Sequence, residues 1–380
     1  MAGLSEAAEL TAQLVGIDSV NPELVPGGAG EAEIARFVAA WLERAGLAVS
    51  VEEATPGRPN VVGVVRGRGD GRSLMLNAHL DTVGVAGMER PHDPYVEDGR
   101  LYGRGSYDMK GSLAAIMLAA RELRARGLAG DVVVTAVADE EYASVGTDAV
   151  AERWTADAAV VTEPTGLDVC VAHKGFVWLE LETRGRAAHG SRPDLGVDAI
   201  VKMGHVLAGL DALDRRLRAR PTHPLLESGS LHASLVEGGQ ELSSYPERCL
   251  LRAERRTIPG ETPELVVAEV EAVLDGLAGA DPDFHASVRA TFDRPPFEVA
   301  ETEPIVEVVR AAVCAAQGRD PALVGHFAWM DSAVLAAAGI PTVVFGPGGG
   351  GAHAVVEWVE LRGVERCTEV LVAAAAAFCA

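Results

Sequence analysis

A chain of 380 residues with 55 Asp and Glu against 33 Lys and Arg carries a formal net charge of −22. That charge repels phosphate backbones and anionic lipid, so nucleic-acid and membrane-surface binding are disfavoured, while small anionic substrates still respond to local charge in a cleft. The length allows two domains, and 48% hydrophobic with 23% charged residues is ordinary for a globular protein.

In chain order, the opening MAGLSEAAEL lacks a basic region followed by an apolar stretch, so no signal peptide is expected. Residues 31–45 place Ile34, Phe37, Val38, Trp41 and Leu42 on one helical face, with Gly46 as C-cap. Short apolar runs at 60–66, 73–78, 131–138 and 157–162 read as strands, with a helical pattern at 112–126 among them. A further strand is expected at 342–346. Continuous apolar strands alternating with helices predict an α/β fold, a mostly parallel central sheet between helices.

Between 176 and 292 the texture changes. A strand at 176–184 precedes a helix at about 195–219, strands near 229–236 and 247–256, a helix at about 262–278 and a strand near 284–292. That β-α-β-β-α-β order is the ferredoxin-like pattern. It predicts a small domain, 176–292, inserted into a discontinuous larger one, 1–175 and 293–380, with the proline-bearing 293–301 as return linker. The closing LVAAAAAFCA is too short to span a bilayer and reads as the end of a buried helix. Five scattered cysteines without a C-x-x-C pair argue against a disulfide framework and a sulfur-ligated zinc. They fit a reducing compartment, and a cytoplasmic location is expected.

Acids and histidines collect where the strands end. His79 and Asp81 close the 73–78 strand, Asp139, Glu140 and Glu141 the 131–138 strand, and Glu163 the 157–162 strand; His353 follows the 342–346 strand across a glycine-rich loop. Ligands of open α/β sheets bind beyond the carboxyl ends of the strands, so four separate segments deliver metal-type donors to one edge. Each has an ordinary alternative: a solvated helix start for Asp139–Glu141, a turn for Glu163, a surface histidine for His353, a helix cap near Gly111 for Asp108. Two histidines with several carboxylates and no cysteine suit Zn²⁺ or another borderline divalent cation. Five donors exceed what one catalytic zinc takes and suit two that share a bridging carboxylate, about 3.5–4 Å apart. Glu140 and Glu141 can then divide labour, one on metal and one facing the water. Asp81 is placed to accept the second N–H of the His79 imidazole.

The segments H-L-D-T-V, G-R-G-S-Y-D-M-K-G, D-E-E, T-E-P-T and A-H-A-V-V-E, in that order over nearly the whole chain, resemble the zinc metallopeptidase family of acetylornithine deacetylase, succinyl-diaminopimelate desuccinylase, aminoacylase-1 and carboxypeptidase G. The resemblance implies a catalytic α/β domain interrupted by a ferredoxin-like lid that also forms a homodimer. It implies two Zn²⁺, with Co²⁺ or Mn²⁺ as substitutes. Asp108 would bridge them, His79 and Glu163 completing one site, Glu141 and His353 the other. Glu140 would be the general base, taking a proton from the attacking water and passing it to the leaving amine, with Asp81 as partner of His79. A cis peptide between Asp108 and Met109 is also implied. In A-A-H-G-S-R-P, His189 would reach a neighbouring subunit's site to stabilise the oxyanion, and in E-R-R-T-I-P-G, Arg256 would clamp the substrate carboxylate. Ser243 stands where the family often has asparagine, so a shorter hydroxyl would take the place of the usual polar contact to substrate or oxyanion.

The activity implied is removal of an N-acyl group from an amino-acid-like substrate, of the acetylornithine deacetylase type. The stretches M-D-S-A at 330–333 and G-I-P-T-V-V-F-G-P-G lean to that branch. A carboxypeptidase or dipeptidase with the same centre is the second reading. A catalytically silent relative binding small carboxylates or partners is the third.

Overall fold

The computed structural model describes residues 5–380, so residues 1–4, where the reading of the N-terminus begins, lie outside the described residues. The chain divides into two compact units. The larger takes the chain up to Val171, Val299–Val324 and Met330–Ala380; the smaller takes Ala172–Glu298 and Gly325–Trp329.

In the larger unit, Val132–Val137, Leu74–His79, Ala158–Val161 and Thr342–Val344 lie side by side in that order as the parallel middle of a sheet. Antiparallel strands flank them, Arg58–Val65 and then Ala48–Thr55 on one margin and Val169–His173 on the other. All four middle strands are buried along their whole length, as unbroken apolar runs require when helices cover both faces. Along Arg58–Val65 the faces separate by the two-residue period of a strand. A Cβ on Gly63 would lie 2.9 Å from Leu42 of the helix Ala32–Arg44, whereas Val62 and Val64 pack with Val133 and Trp154, which closes the helix Val145–Arg153.

The helix Gly111–Arg126 is buried almost all round from Gly111 to Ala120. A helix apolar on every side must be covered on every side, and this one packs both on Leu74–His79 and on the C-terminal helix Leu361–Phe378. At Gly146 a Cβ would stand 2.3 Å from the Ala138 carbonyl oxygen. Only glycine lets the helix Val145–Arg153 start so close to the strand end that carries Asp139, Glu140 and Glu141. Asn60 fastens that approach, donating to the Gly146 carbonyl at 2.8 Å and accepting the Ala138 N–H at 3.0 Å.

The smaller unit runs Gly175–Arg184, Ala199–Arg218, Ser230–Gly238, Arg248–Thr257, Pro263–Ala280 and His285–Arg294, a β-α-β-β-α-β order. Its four strands are antiparallel neighbours in the order 230–238, 248–257, 175–184, 285–294. Val177, Leu179 and Leu181 point to one face, where Met203, Val206, Leu210, Val266, Val270 and Leu274 of the two helices cover them. Burial of each such side chain stabilises by about 1.5–3 kcal/mol. Both helices begin on a capping side chain: Asp198 accepts the N–H groups of Ile200 and Val201, and Thr262 that of Leu265 with Pro263 next in line. Among the described residues no helix is long and apolar enough to cross a membrane.

Candidate metal centre

Parallel strands carry their chemistry at their carboxyl ends, and the larger unit follows that rule. His79 ends Leu74–His79, Glu140 and Glu141 follow Val132–Val137, Glu163 follows Ala158–Val161, and His353 lies beyond Thr342–Val344 at φ 60°. Asp108 lies in a tight turn, Ser106–Lys110, just before the buried helix, with φ −117° and ψ 92°. The peptide that joins Asp108 to Met109 is cis.

These residues gather into two groups with one shared member. His79, Asp108 and Glu163 form the first, and Asp108, Glu141 and His353 the second; within each, the donor atoms lie within 4.8 Å of one another. His79 Nε2 is 3.1 Å from Asp108 Oδ1 and 3.6 Å from Glu163 Oε1. His353 Nε2 is 3.0 Å from Glu141 Oε2 and 3.5 Å from Asp108 Oδ2. Each oxygen of Asp108 therefore faces a different histidine. Two donors each about 2.0–2.1 Å from one tetrahedral cation stand roughly 3.3 Å apart, so such spacings fit a cation in each group.

The charge balance points the same way. Burial, then repulsion by Glu163, pushes Glu140 well above the ordinary carboxylate range. Burial also raises Glu163, with Asp108 and Glu141 adding to it against His79. Glu141 is pushed up to about 7, by burial first and Asp108 next. His353 rises to about 10 through its hydrogen bonds to Asp108 and Glu141. For His79, burial favours the neutral ring, but Asp108, Glu163, Glu140 and Asp81 together outweigh it and hold the value well above normal. Glu141 Oε1 is buried with no hydrogen-bond partner among the described residues. Four carboxylates crowded around two histidines, one with an orphaned oxygen, form a donor set that calls for cations.

Asp81 behaves differently from expectation. The His79 Nδ1 contact is to the Asp81 main-chain oxygen at 2.9 Å, and the carboxylate stands 3.6 Å away. The reason is that the carboxylate is engaged elsewhere. It accepts the N–H groups of Glu140 at 3.1 Å and Glu141 at 3.2 Å, and Asn21 Nδ2 at 2.7 Å. Asp81 thus orients both the ring, through its backbone, and the segment bearing Glu140, through its side chain.

Behind it lies a buried network. Asn21 Nδ2 also donates to Asp139 Oδ1 at 3.0 Å. Arg58 meets the same oxygen at 2.9 Å and grips Glu31 with two bonds of 2.8 and 2.6 Å. Asp139 sits at φ 67°, a conformation that costs a non-glycine residue energy and persists where surroundings fix it. Asp331, buried and receiving the Thr147 hydroxyl at 2.6 Å, adds repulsion to Glu140 and Glu163. Asn21, Glu31 and Arg58 carried no motif; the one signal among them is Arg58, a charged residue at the head of a strand buried along its whole length, which must find a partner.

His189 and Arg256 belong to the smaller unit. His189 Nδ1 and the Ser191 hydroxyl are 2.8 Å apart, on an exposed loop. Gly190 on that loop donates to the Ser243 carbonyl at 2.7 Å, while Ser243's own N–H goes to Glu241. Arg256 Nε donates to Glu254 at 2.7 Å, and its guanidinium carbon lies 5.2 Å from the Phe176 ring centre. Neither residue is part of the two donor groups.

Known proteins match this chain along most of its length. Residues 75–377 match the description "Peptidase family M20/M25/M40". An N-formyl-4-amino-5-aminomethyl-2-methylpyrimidine deformylase of Bacillus subtilis is 29% identical over 373 residues, 89% of this chain and 87% of the relative. An acetylornithine deacetylase of Myxococcus xanthus is 32% identical over 366 residues, 90% and 91% respectively. Among solved structures, aminopeptidase PepT from Bacillus cereus superposes with a TM-score of 0.80 at 24% identity, covering 97% of both chains. The Bacillus subtilis YXEP protein, a dinuclear metal-binding peptidase, does so with 0.75 at 16%, covering 99% of this chain and 98% of its own.

Proposed function

The chain belongs to the peptidase family M20/M25/M40, hydrolases of amide and peptide bonds, and from that premise we propose that it removes an N-acyl group from an amino-acid-like substrate. One observation carries the reading: two three-donor groups share Asp108, with Glu140 beside Glu141 and outside both. His79, Asp108 and Glu163 would hold one Zn²⁺, and Asp108, Glu141 and His353 a second. Bound there, the cations supply Lewis-acid polarisation of the scissile carbonyl and lower the pKa of a water toward neutrality.

The remaining work falls to side chains. Glu140 takes the proton of the attacking water and delivers it to the leaving amine nitrogen, so the C–N bond breaks with a neutral amine departing. A carboxylate next to the donor groups but in neither of them is free to serve both halves of that transfer. Asp81 keeps the Glu140 backbone in place. Arg256 takes the substrate carboxylate, because a guanidinium offers two parallel donors to one carboxylate. His189, anchored through Nδ1, donates from its other ring nitrogen to the oxyanion of the tetrahedral intermediate in a neighbouring subunit's site.

Assayed on N-acetyl amino acids, N-succinyl-diaminopimelate and dipeptides, the zinc-loaded protein should turn over the N-acetyl compounds best. Dialysis against a chelator should abolish that turnover, and zinc or cobalt should restore it. Preference for dipeptides would make it a peptidase with the same centre. Full activity after verified metal removal would overturn the reading.

The protein also acts, in this reading, as a homodimer through the smaller unit. Ser230–Gly238 is an edge strand, with Leu235 61% and Val236 60% exposed, and Ile200 and Val201 on the neighbouring helix are exposed as well. An edge strand left with apolar side chains in water is a pairing surface. Leu235→Glu should convert the dimer to monomer in sedimentation velocity; a wild-type protein that sediments as a monomer at micromolar concentration would remove the dimer. A reducing compartment, the cytoplasm, suits five free thiols, with Cys170, Cys249, Cys367 and Cys379 buried.

A further inference from the structure

The last residue of A-H-A-V-V-E, Glu357, has no role in the chemistry above. Its side chain is fully buried, yet four donors converge on it. Oε1 accepts the N–H groups of Tyr107 at 3.0 Å and Asp108 at 3.1 Å. Oε2 accepts the N–H of Gly105 at 3.0 Å and Arg104 Nη1 at 2.6 Å. One carboxylate therefore fixes the backbone of the turn that presents Asp108, including the N–H of Asp108 itself.

Arg104 extends the hold. Its Nη2 donates to the carbonyl of Ala354, the residue after His353, at 3.0 Å, and its Nε to the Gly84 carbonyl at 3.1 Å. His353 needs such a tether. Its side chain is 57% exposed, and it lies outside any helix or strand. Short pairing of Trp358–Glu360 with Arg100–Tyr102 closes the base of both loops.

We propose that the Arg104–Glu357 pair is a positioning clamp that sets the distance between Asp108 and His353 and thereby governs the second metal group in preference to the first. Two of the three donors of the second group hang on this pair. In the first group, His79 and Glu163 are set by the ends of buried strands, and only Asp108 answers to the clamp. Loosening Asp108 and His353 together therefore weakens the Asp108–Glu141–His353 group far more. The inference rests on the two-cation reading above.

The test is metal titration of the metal-free protein against a chromophoric chelator, with metal counted after dialysis, for wild type, Glu357→Gln and Arg104→Lys. Gln places an NH2 where donors converge; Lys cannot serve Glu357, Ala354 and Gly84 at once. Expected is a first Zn²⁺ equivalent bound as in wild type and a second weakened by about 10–100-fold, the usual cost of losing an outer partner of a ligand. Substituted with Co²⁺, the variants should show the visible absorption of one site only at equimolar metal per site. If Glu357→Gln fails to fold, Arg104→Lys carries the test alone. Two equivalents bound with wild-type affinity, or both weakened in parallel, would overturn the clamp while leaving the function intact. A wild type that binds fewer than two cations overturns both.

Discussion

Glu140→Gln is expected to lower kcat by roughly 10²–10⁴-fold, the ordinary contribution of a general acid–base group, with metal content unchanged. The substitution keeps size and shape, so the backbone contact of residue 140 to Asp81 survives. Glu140 is in neither donor group, so both cations should be retained. What is lost is the ability to accept a proton from water and hand it to the amine. Steady-state kinetics paired with metal analysis separates the possibilities. Near-native turnover would remove Glu140 from the proton-transfer role, and loss of one cation would make it a ligand.

Arg58→Met should cost about 3–5 kcal/mol of stability, the typical penalty for breaking a buried ion pair from one side. The Arg58 side chain is 10% exposed, Glu31 0% and Asp139 2%. Removing the guanidinium leaves two buried carboxylates without the cation that both contact. At about 2–4 °C per kcal/mol for units of this size, the melting temperature should fall by on the order of 10 °C. Replacing Glu31 by Gln in the same protein should recover part of the loss, since one of the stranded charges is then gone. Thermal unfolding of the three proteins measures this directly; an unchanged melting temperature for Arg58→Met would show that the network is not structural. Activity should drop as well, because Asp139 and Asn21 lie between Arg58 and Asp81.

Much of the site is legible in the sequence. His79, Asp108, Glu141, Glu163 and His353 are polar residues placed where apolar strands stop or where a glycine-rich turn begins, and the structure gathers all five. The ferredoxin-like order of the smaller unit followed from period-two strands alternating with two long helices. The antiparallel strand Ala48–Thr55 escaped, because at the sheet margin its residues alternate between exposed and half-buried and include Glu52 and Glu53. The helix Val145–Arg153 escaped because VGTDAVAER is short and has no apolar stripe at helical spacing, its buried residues being Gly146, Thr147 and Val150. Asp81 shows the limit most plainly: spacing placed it beside His79 but could not tell its backbone oxygen from its carboxylate. Asn21, Glu31, Arg58 and Arg104 each pass for loop or surface residues until burial is known.

The central claim is that His79, Asp108, Glu141, Glu163 and His353 hold two cations that share Asp108. Anomalous diffraction at the zinc edge from crystals of the zinc-loaded protein tests it most directly. Two peaks are predicted, one bonded to His79, Asp108 and Glu163, the other to Asp108, Glu141 and His353. A single peak, or peaks away from Asp108, would contradict it.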